Sequence, residues 1–209
     1  MSLSFRRAAL ATVLTTVVAL GAGALSATGA SAATTARNTA TVAAATQALP
    51  PRDTWIADVT AVTDQASAYL ATRLPDRSIK PAIVLDIDNT ALETTYSGGI
   101  ITPATAPVLA LAEQARASGA VVVFVTARHE ILRPLTKANL AQAGYPNDGL
   151  FMRGWFNTSD NQTLKTNARI AIEKAGYTIV ANLGNNTSDL GGGHAERTFK
   201  LPDYNGRLS

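Results

Sequence analysis

The chain has no cysteine among its 209 residues. That excludes disulfides and thiolate metal sites, so an exported form has to rest on core packing alone. No nucleophile elbow, phosphate-cradling P-loop or GxGxxG turn lies between a strand and a helix of the mature chain, and no internal repeat stands out. "HEILR" at 129–133 opens like a zinc-protease helix but lacks the second histidine, so zinc is not expected there. Charge of one sign is also scarce. Removing Arg6 and Arg7 from the 18 basic residues leaves 16 against 15 acidic ones. The high isoelectric point therefore implies no nucleic-acid partner and no attraction to anionic membranes.

Those two arginines open an N-terminal leader. They precede an apolar stretch from Ala8 to Leu25, then "SATGASAA" at 26–33. A charged start, an apolar middle and a small-residue cleavage site at Ala30-Ser31-Ala32 read as a secretory signal over 1–32. Gly21, Gly23 and the small-residue tail weaken the alternative of a membrane anchor. "SFRRAAL" is a weak twin-arginine sequence, which favours general export. The protein is expected to be secreted, without stable membrane association after cleavage. Residues 33–51, small, polar and ending in Pro50-Pro51, read as a flexible leader. Residues 52–209 then form one domain, of a size that buries a substantial core.

Within it, Trp55, Val59, Val62, Ala66, Tyr69 and Leu70 recur at helical spacing behind Asp53, a candidate N-cap. The aromatics on that stripe are core residues. Beyond Pro75, apolar runs alternate with helical patterns: strand 82–86, helix 104–118, strand 121–125, helix 130–143, strand 149–152, helix 163–175 and strand 178–183. "TFKLP" at 198–202 completes the pattern as an edge strand. Gly119, Gly144 and Gly176 close the helices. The repeated βαβ order implies an α/β fold with a parallel sheet covered on both faces.

Ligands of such sheets bind beyond the carboxyl ends of the strands. "KPAIVLDIDNTALE" at 80–93 places Asp86 and Asp88 there, and "VVVFVTAR" at 121–128 places Thr126. "TIVANL" leads into "GNNTSDLGGG", with Asn185 and Asp189. Two like charges about 4 Å apart repel by roughly 4 kcal/mol at an effective dielectric near 20, which needs a functional reason. Carboxylates, a hydroxyl and nearby Lys165 together suit a phosphate and a divalent cation. Oxygen donors point to Mg²⁺.

These segments resemble the haloacid dehalogenase-like (HAD) superfamily, and within it the acid phosphatase subfamily IIIB, with class B-like acid phosphatases and plant vegetative storage proteins. The likeness spans about 52–203. "IVLDIDNTALETTY" resembles the first motif and "VVVFVTAR" the second; Lys165 sits where the third places its lysine. "GNNTSDL" resembles the fourth, and "RTFKLPDYNG" the C-terminal strand. The resemblance implies a three-layer, HAD-type Rossmann-like sheet with at most a small cap. It implies a Mg²⁺-dependent phosphomonoesterase acting on a small-molecule phosphomonoester through an aspartyl-phosphate. Asp86 would be the nucleophile and Asp88 the acid and then base. Thr126, Ala127 and Lys165 would hold phosphate; Asp86, Asp88 (through its backbone carbonyl), Asn185 and Asp189 would hold the metal. Mutual repulsion would keep Asp86 ionised and Asp88 protonated at the start.

One position departs. The first acid of the fourth motif is Asn185. An amide oxygen coordinates Mg²⁺ without adding negative charge, and Asp189 is the residue placed to compensate. The alternative is a weakened site, in a protein turned to binding or storage. Other residues stay open: Arg128 either reaches phosphate or closes a helix, and Glu93 and Tyr96 either border the leaving group or do not. Trp155 and Phe156 either line a substrate mouth or cover the core, and His194 reads as a solvated loop residue. Short connections after Asp88 and between Thr126 and Lys165 leave no room for a large cap, so an open site is expected.

Overall fold

The computed structural model describes residues 48–208; the expected signal over 1–32, and all of the leader before Ala48, lie outside them. Five parallel strands form one sheet in the order β3-β2-β1-β4-β5. They are β1 (Pro81–Leu85), β2 (Val121–His129), β3 (Gly149–Arg153), β4 (Thr178–Gly184) and β5 (Arg197–Lys200). The helices are α1 (Arg52–Arg73), α2 (Thr94–Ser97), α3 (Ala106–Ala117), α4 (Arg133–Gln142), α5 (Asn161–Lys174) and α6 (Thr187–Leu190). This is the α/β, HAD-type Rossmann-like architecture.

The continuous apolar character of the strands has a direct cause: both faces are covered. Ile83 and Leu85 of β1 and Val122 and Phe124 of β2 enter a core with Trp55, Val59 and Leu70 of α1, Leu111 and Ala112 of α3, and Leu140 of α4. Ala82, Val84, Val123 and Val125 point the opposite way, against Ala168 and Ile172 of α5. Alternate residues of one strand thus serve two layers. Chain order runs outward from β1 through β2 to β3, then crosses to β4 and β5. The loops leaving β1 and β4 therefore diverge, opening a crevice at the switch point.

Several element boundaries differ from the sequence reading. Helix α1 begins at Arg52 with Pro51 as its N-cap, so Asp53 is a first-turn acid, not the cap. There its charge complements the helix dipole. The buried stripe passes through Thr63 while Val62 is only half-buried; the Thr63 hydroxyl satisfies itself on the Thr60 carbonyl at 3.0 Å. The helix expected over 130–143 is shorter. Strand β2 continues to His129, residues 130–132 make a 3₁₀ turn, and α4 starts beside Pro134. Proline is tolerated in a first turn and not in a helix interior, which sets that start. Helix α5 starts earlier than expected, where Asp160 accepts the Thr163 amide at 2.9 Å.

Candidate active site

Asp86 is the first residue beyond β1. Its amide donates to the Leu183 carbonyl at 3.0 Å and its carbonyl accepts from Ala91 at 3.3 Å, anchoring the loop at both ends. Asn89 takes a left-handed φ of 54°, which turns the chain back and lets its side chain accept the Thr95 amide at 2.8 Å. Asp86 and Asp88 from this loop, Thr126 and Ala127 from β2, and Lys165 from α5 all border one hollow of about 160 Å³. So do Asn185 and Asp189, from the connection after β4. All seven site residues read from the sequence come together.

Lys165 is the centre of charge. Its ammonium lies 2.6 Å from Asp86 Oδ1 and 2.5 Å from Asp189 Oδ1, and all three side chains are buried. Burial works against the ammonium, but Asp86 and Asp189 outweigh it and raise its pKa. Asp86 fares differently. Burial pushes its carboxyl up to about 7; Lys165 pulls the other way, while Asp189 and Asp88 add to the rise. Two carboxylates share one ammonium, which offsets the burial of Asp86 without cancelling it. Burial therefore works against the charge of Asp86, the residue expected to be ionised.

Asp88 is instead held in a two-pronged ion pair. Arg128 donates from Nε to Oδ2 at 2.9 Å and from Nη2 to Oδ1 at 2.6 Å, and the Thr94 hydroxyl adds 2.9 Å to Oδ1. Of the two readings of Arg128, the helix contact is present: its Nη1 also donates to the Thr136 hydroxyl of α4, at 3.4 Å. As arranged, both Asp88 oxygens accept, so an acid role requires the fork to open first. Thr126 is buried and its hydroxyl accepts the Arg128 amide at 3.1 Å, which joins the fork to the end of β2.

Asp189 is fixed on every side. Its Oδ2 accepts the Asn186 amide at 2.8 Å, and its backbone carbonyl accepts from Asn182 at 2.9 Å and Arg169 at 2.7 Å. Arg169 has no solvent exposure and also donates to the carbonyls of Gly193, at 2.8 Å, and Gly191. A Cβ on Gly184 would overlap the Asp189 side chain, so glycine there is a condition of the packing. The sequence reading missed Arg169 and Asn182. The available signals were an arginine one helical turn after Lys165 and a lone amide inside the apolar run of β4.

Asn185 has a partner that explains its amide. Its Nδ2 donates to the Leu208 carbonyl at 2.7 Å, which also accepts from Asn89 Nδ2 at 2.8 Å. Its Oδ1 accepts only a long bond from the Thr90 hydroxyl, 3.3 Å, and keeps acceptor capacity. An aspartate would set carboxylate against carbonyl. Asn185→Asp is accordingly expected to lower metal-free stability by about 1–3 kcal/mol in urea unfolding while tightening Mg²⁺ in a titration. An unchanged Mg²⁺ titration would remove position 185 from the ligand set.

Other candidates lie elsewhere. Glu93 is buried in a pair with Arg52, both contacts 2.5 Å, and Tyr96 stacks on Trp55 at 4.7 Å with its hydroxyl 3.0 Å from the Pro50 carbonyl. Both fasten α1 and its approach to the loop after β1; neither borders the hollow. His129 meets the Trp155 ring edge-on at 5.1 Å, Glu130 pairs with Arg133, and His194 lies 2.6 Å from Glu173. Trp155 and Phe156 do not cover the core: they are 61% and 97% exposed.

Whether the hollow suits a divalent cation depends on its donors. Among the described residues no three His, Cys, Asp or Glu side chains gather as a metal cluster. Asp86, Asp189 and the Asn185 Oδ1 supply oxygen donors only, and the burial that opposes the charge on Asp86 is what a bound cation would offset. Mg²⁺ commonly keeps waters and substrate oxygens, so a small oxygen set fits it.

Residues 99–207, more than half the chain, match the HAD superfamily, subfamily IIIB (acid phosphatase). The chain is similar to acid phosphatase 1 of Solanum lycopersicum, 31% identical over 159 residues, covering 73% of this chain and 58% of that one. It is also similar to the stem 28 kDa glycoprotein of Glycine max, 37% identical over 87 residues, covering 39% of this chain and 34% of the relative. The match thus spans from a third to under two thirds of these relatives. Among solved structures it resembles the class C acid phosphatase from Bacillus anthracis, with a TM-score of 0.56 and 18% identity over 68% of this chain and 67% of that one. A chain of the Pnkp1/Rnl/Hen1 complex matches with a TM-score of 0.54 and 18% identity, covering 61% and 47%. These structural likenesses concern the fold.

Proposed function

Because this chain belongs to the HAD superfamily, subfamily IIIB of acid phosphatases, we propose that it is an exported, Mg²⁺-dependent phosphomonoesterase working through an aspartyl-phosphate on Asp86. The observation that carries this reading is the convergence on one hollow of Asp86, Asp88, Thr126, Ala127, Lys165, Asn185 and Asp189, from three strand ends and one helix. Export rests on the basic, apolar and small-residue order of residues 6–33.

In this reading the Asp86 carboxylate attacks phosphorus in line with the leaving oxygen, splitting one displacement into two. Lys165, placed against Asp86, supplies positive charge to a phosphoryl oxygen, and the Thr126 hydroxyl and the amides after it offer donors. Asp88 gives a proton to the leaving alcohol and takes one from the hydrolytic water, once Arg128 has released it. Asp86, Asp189, the Asn185 amide oxygen and the Asp88 backbone carbonyl would hold Mg²⁺. Its charge would favour ionised Asp86 and neutralise phosphate oxygens. Arg169 and Asn182 keep Asp189 in register.

The test is phosphate release from phenyl phosphate, with Mg²⁺ and with EDTA. Turnover that stops on chelation and returns on adding Mg²⁺ is expected; full activity in EDTA would contradict the metal role. A second reading, a binding or storage protein, is favoured by the Asn185 amide and its hold on Leu208. It calls for phosphate binding without turnover.

A further inference from the structure

An amide where a carboxylate is expected raises a question of direction. Either oxygen of an aspartate suits a cation, whereas an asparagine has one end that does and one that does not. Asn185 is buried, and only its partners decide which end points where. The Thr90 hydroxyl, 3.3 Å from Oδ1, can donate or accept and so suits either end. The Leu208 carbonyl can only accept. At 2.7 Å it has to face Nδ2, and Oδ1 is then the end left for a cation.

The chain after β5 holds that carbonyl in place. Leu201 donates to the Gly184 carbonyl at 2.9 Å, and the Lys200 ammonium reaches the Asn185 carbonyl at 2.5 Å and Asp203 at 2.8 Å. Tyr204, Asn205 and Gly206 then take φ values of 49°, 62° and 80°, which turns the chain back. Left-handed backbone disfavours residues with a Cβ, so contacts have to hold the first two there. The Tyr204 hydroxyl donates to Asp58 at 2.7 Å, its carbonyl accepts from Arg207 at 2.7 Å, and the Asn205 amide donates to Asp203 at 3.1 Å. The Leu208 amide closes the bend on the Asp203 carbonyl at 3.1 Å, and its side chain is buried in the core. The Leu208 carbonyl also accepts from Asn89 Nδ2 at 2.8 Å. Asn89 follows β1 and Asn185 follows β4, so one acceptor joins the two loops that the crevice separates. A bend kept for packing alone accounts for the buried side chain but not for a carbonyl shared by two amides.

We propose that Leu208 is a positioning residue: its backbone carbonyl fixes which end of the Asn185 amide meets a divalent cation, and residues 201–208 form the strap that holds it. The inference rests on the phosphatase reading of the hollow and deepens it by making cation affinity depend on this strap. Partners of metal ligands orient them in this way elsewhere. A carboxylate at position 185 would need no such partner.

The test is thermal melting against Mg²⁺ concentration, which reports folding and binding together and does not depend on turnover. A chain ending at Arg207 lacks the carbonyl and is expected to bind Mg²⁺ about tenfold more weakly, or worse. Leu208→Ala trims the buried side chain and keeps the carbonyl, so it is expected to melt lower yet lose clearly less affinity than the shortened chain. The decisive comparison repeats the shortening on Asn185→Asp, where Mg²⁺ affinity is expected to stay within about twofold. An equal loss on both backgrounds would make the segment a general brace and overturn the proposal. Unchanged affinity in the shortened chain overturns it too, as does wild-type protein whose melting ignores Mg²⁺. Should the shortened chain not melt cooperatively, Leu208→Pro takes its place with the same expectations, because it deletes the amide bonded to Asp203 and so displaces the carbonyl. Wild-type turnover of phenyl phosphate alongside a shortened chain of equal Mg²⁺ affinity would sink the strap and leave the phosphatase standing. The expected Mg²⁺ pattern without any phosphate release would do the reverse.

Discussion

Asp86→Asn is expected to lower phenyl phosphate turnover on the order of 10⁴-fold or more, the scale seen when a covalent nucleophile is removed, without loss of fold. The amide keeps an oxygen that can accept from Lys165, and the ammonium keeps Asp189 as its counter-ion. Stability should shift in the opposite sense to activity. Folded Asp86 titrates at about 7, against about 3.9 in an unfolded chain. The native state therefore holds that proton more tightly. In EDTA, this contribution to wild-type stability is present below about pH 4 and is lost as pH rises through about 7. Thermal melts of Asp86→Asn should lack that decline, and above neutrality the variant should melt higher than metal-free wild type. A variant that melts far lower, at every pH, would mean that the ion pair outweighs the burial of two carboxylates.

Lys165→Met carries the largest expected loss of stability. It leaves Asp86 and Asp189 buried together without a counter-ion, and removing one partner of a buried pair costs about 3–5 kcal/mol. Urea unfolding near neutral pH measures it directly. The double variant Lys165→Met, Asp86→Asn should recover a large part of the loss, because the remaining carboxylate no longer faces a second one. A loss under about 1 kcal/mol would mean that water reaches these groups freely, contrary to their burial. The single variant is also expected to lose turnover, since no other ammonium borders the hollow among the described residues.

What could be read from the sequence was whatever depends on neighbours along the chain. The strands were legible because β1, β2 and β4 are buried on both faces and leave unbroken apolar runs. Helix ends were legible at Gly119, Gly144 and Gly176, whose φ values of 93°, 88° and 88° suit the residue without a Cβ. Helices α2 and α6 span four residues each, too short to show a period. The seven site residues were legible because each follows a strand end or sits at a recognisable motif position. Their partners were not. The Arg128 fork joins residues 40 positions apart, and Asn185 is explained by a backbone carbonyl 23 positions on, which has no side-chain signature.

The most direct measurement is to quench the protein in acid while it turns over phenyl phosphate with Mg²⁺, then map phosphoryl mass by peptide. One phosphoryl group on Asp86, absent in the Asp86→Asn protein, is the expected result. Steady turnover with no adduct at position 86, undiminished by the substitution, would contradict the central role given to that carboxylate.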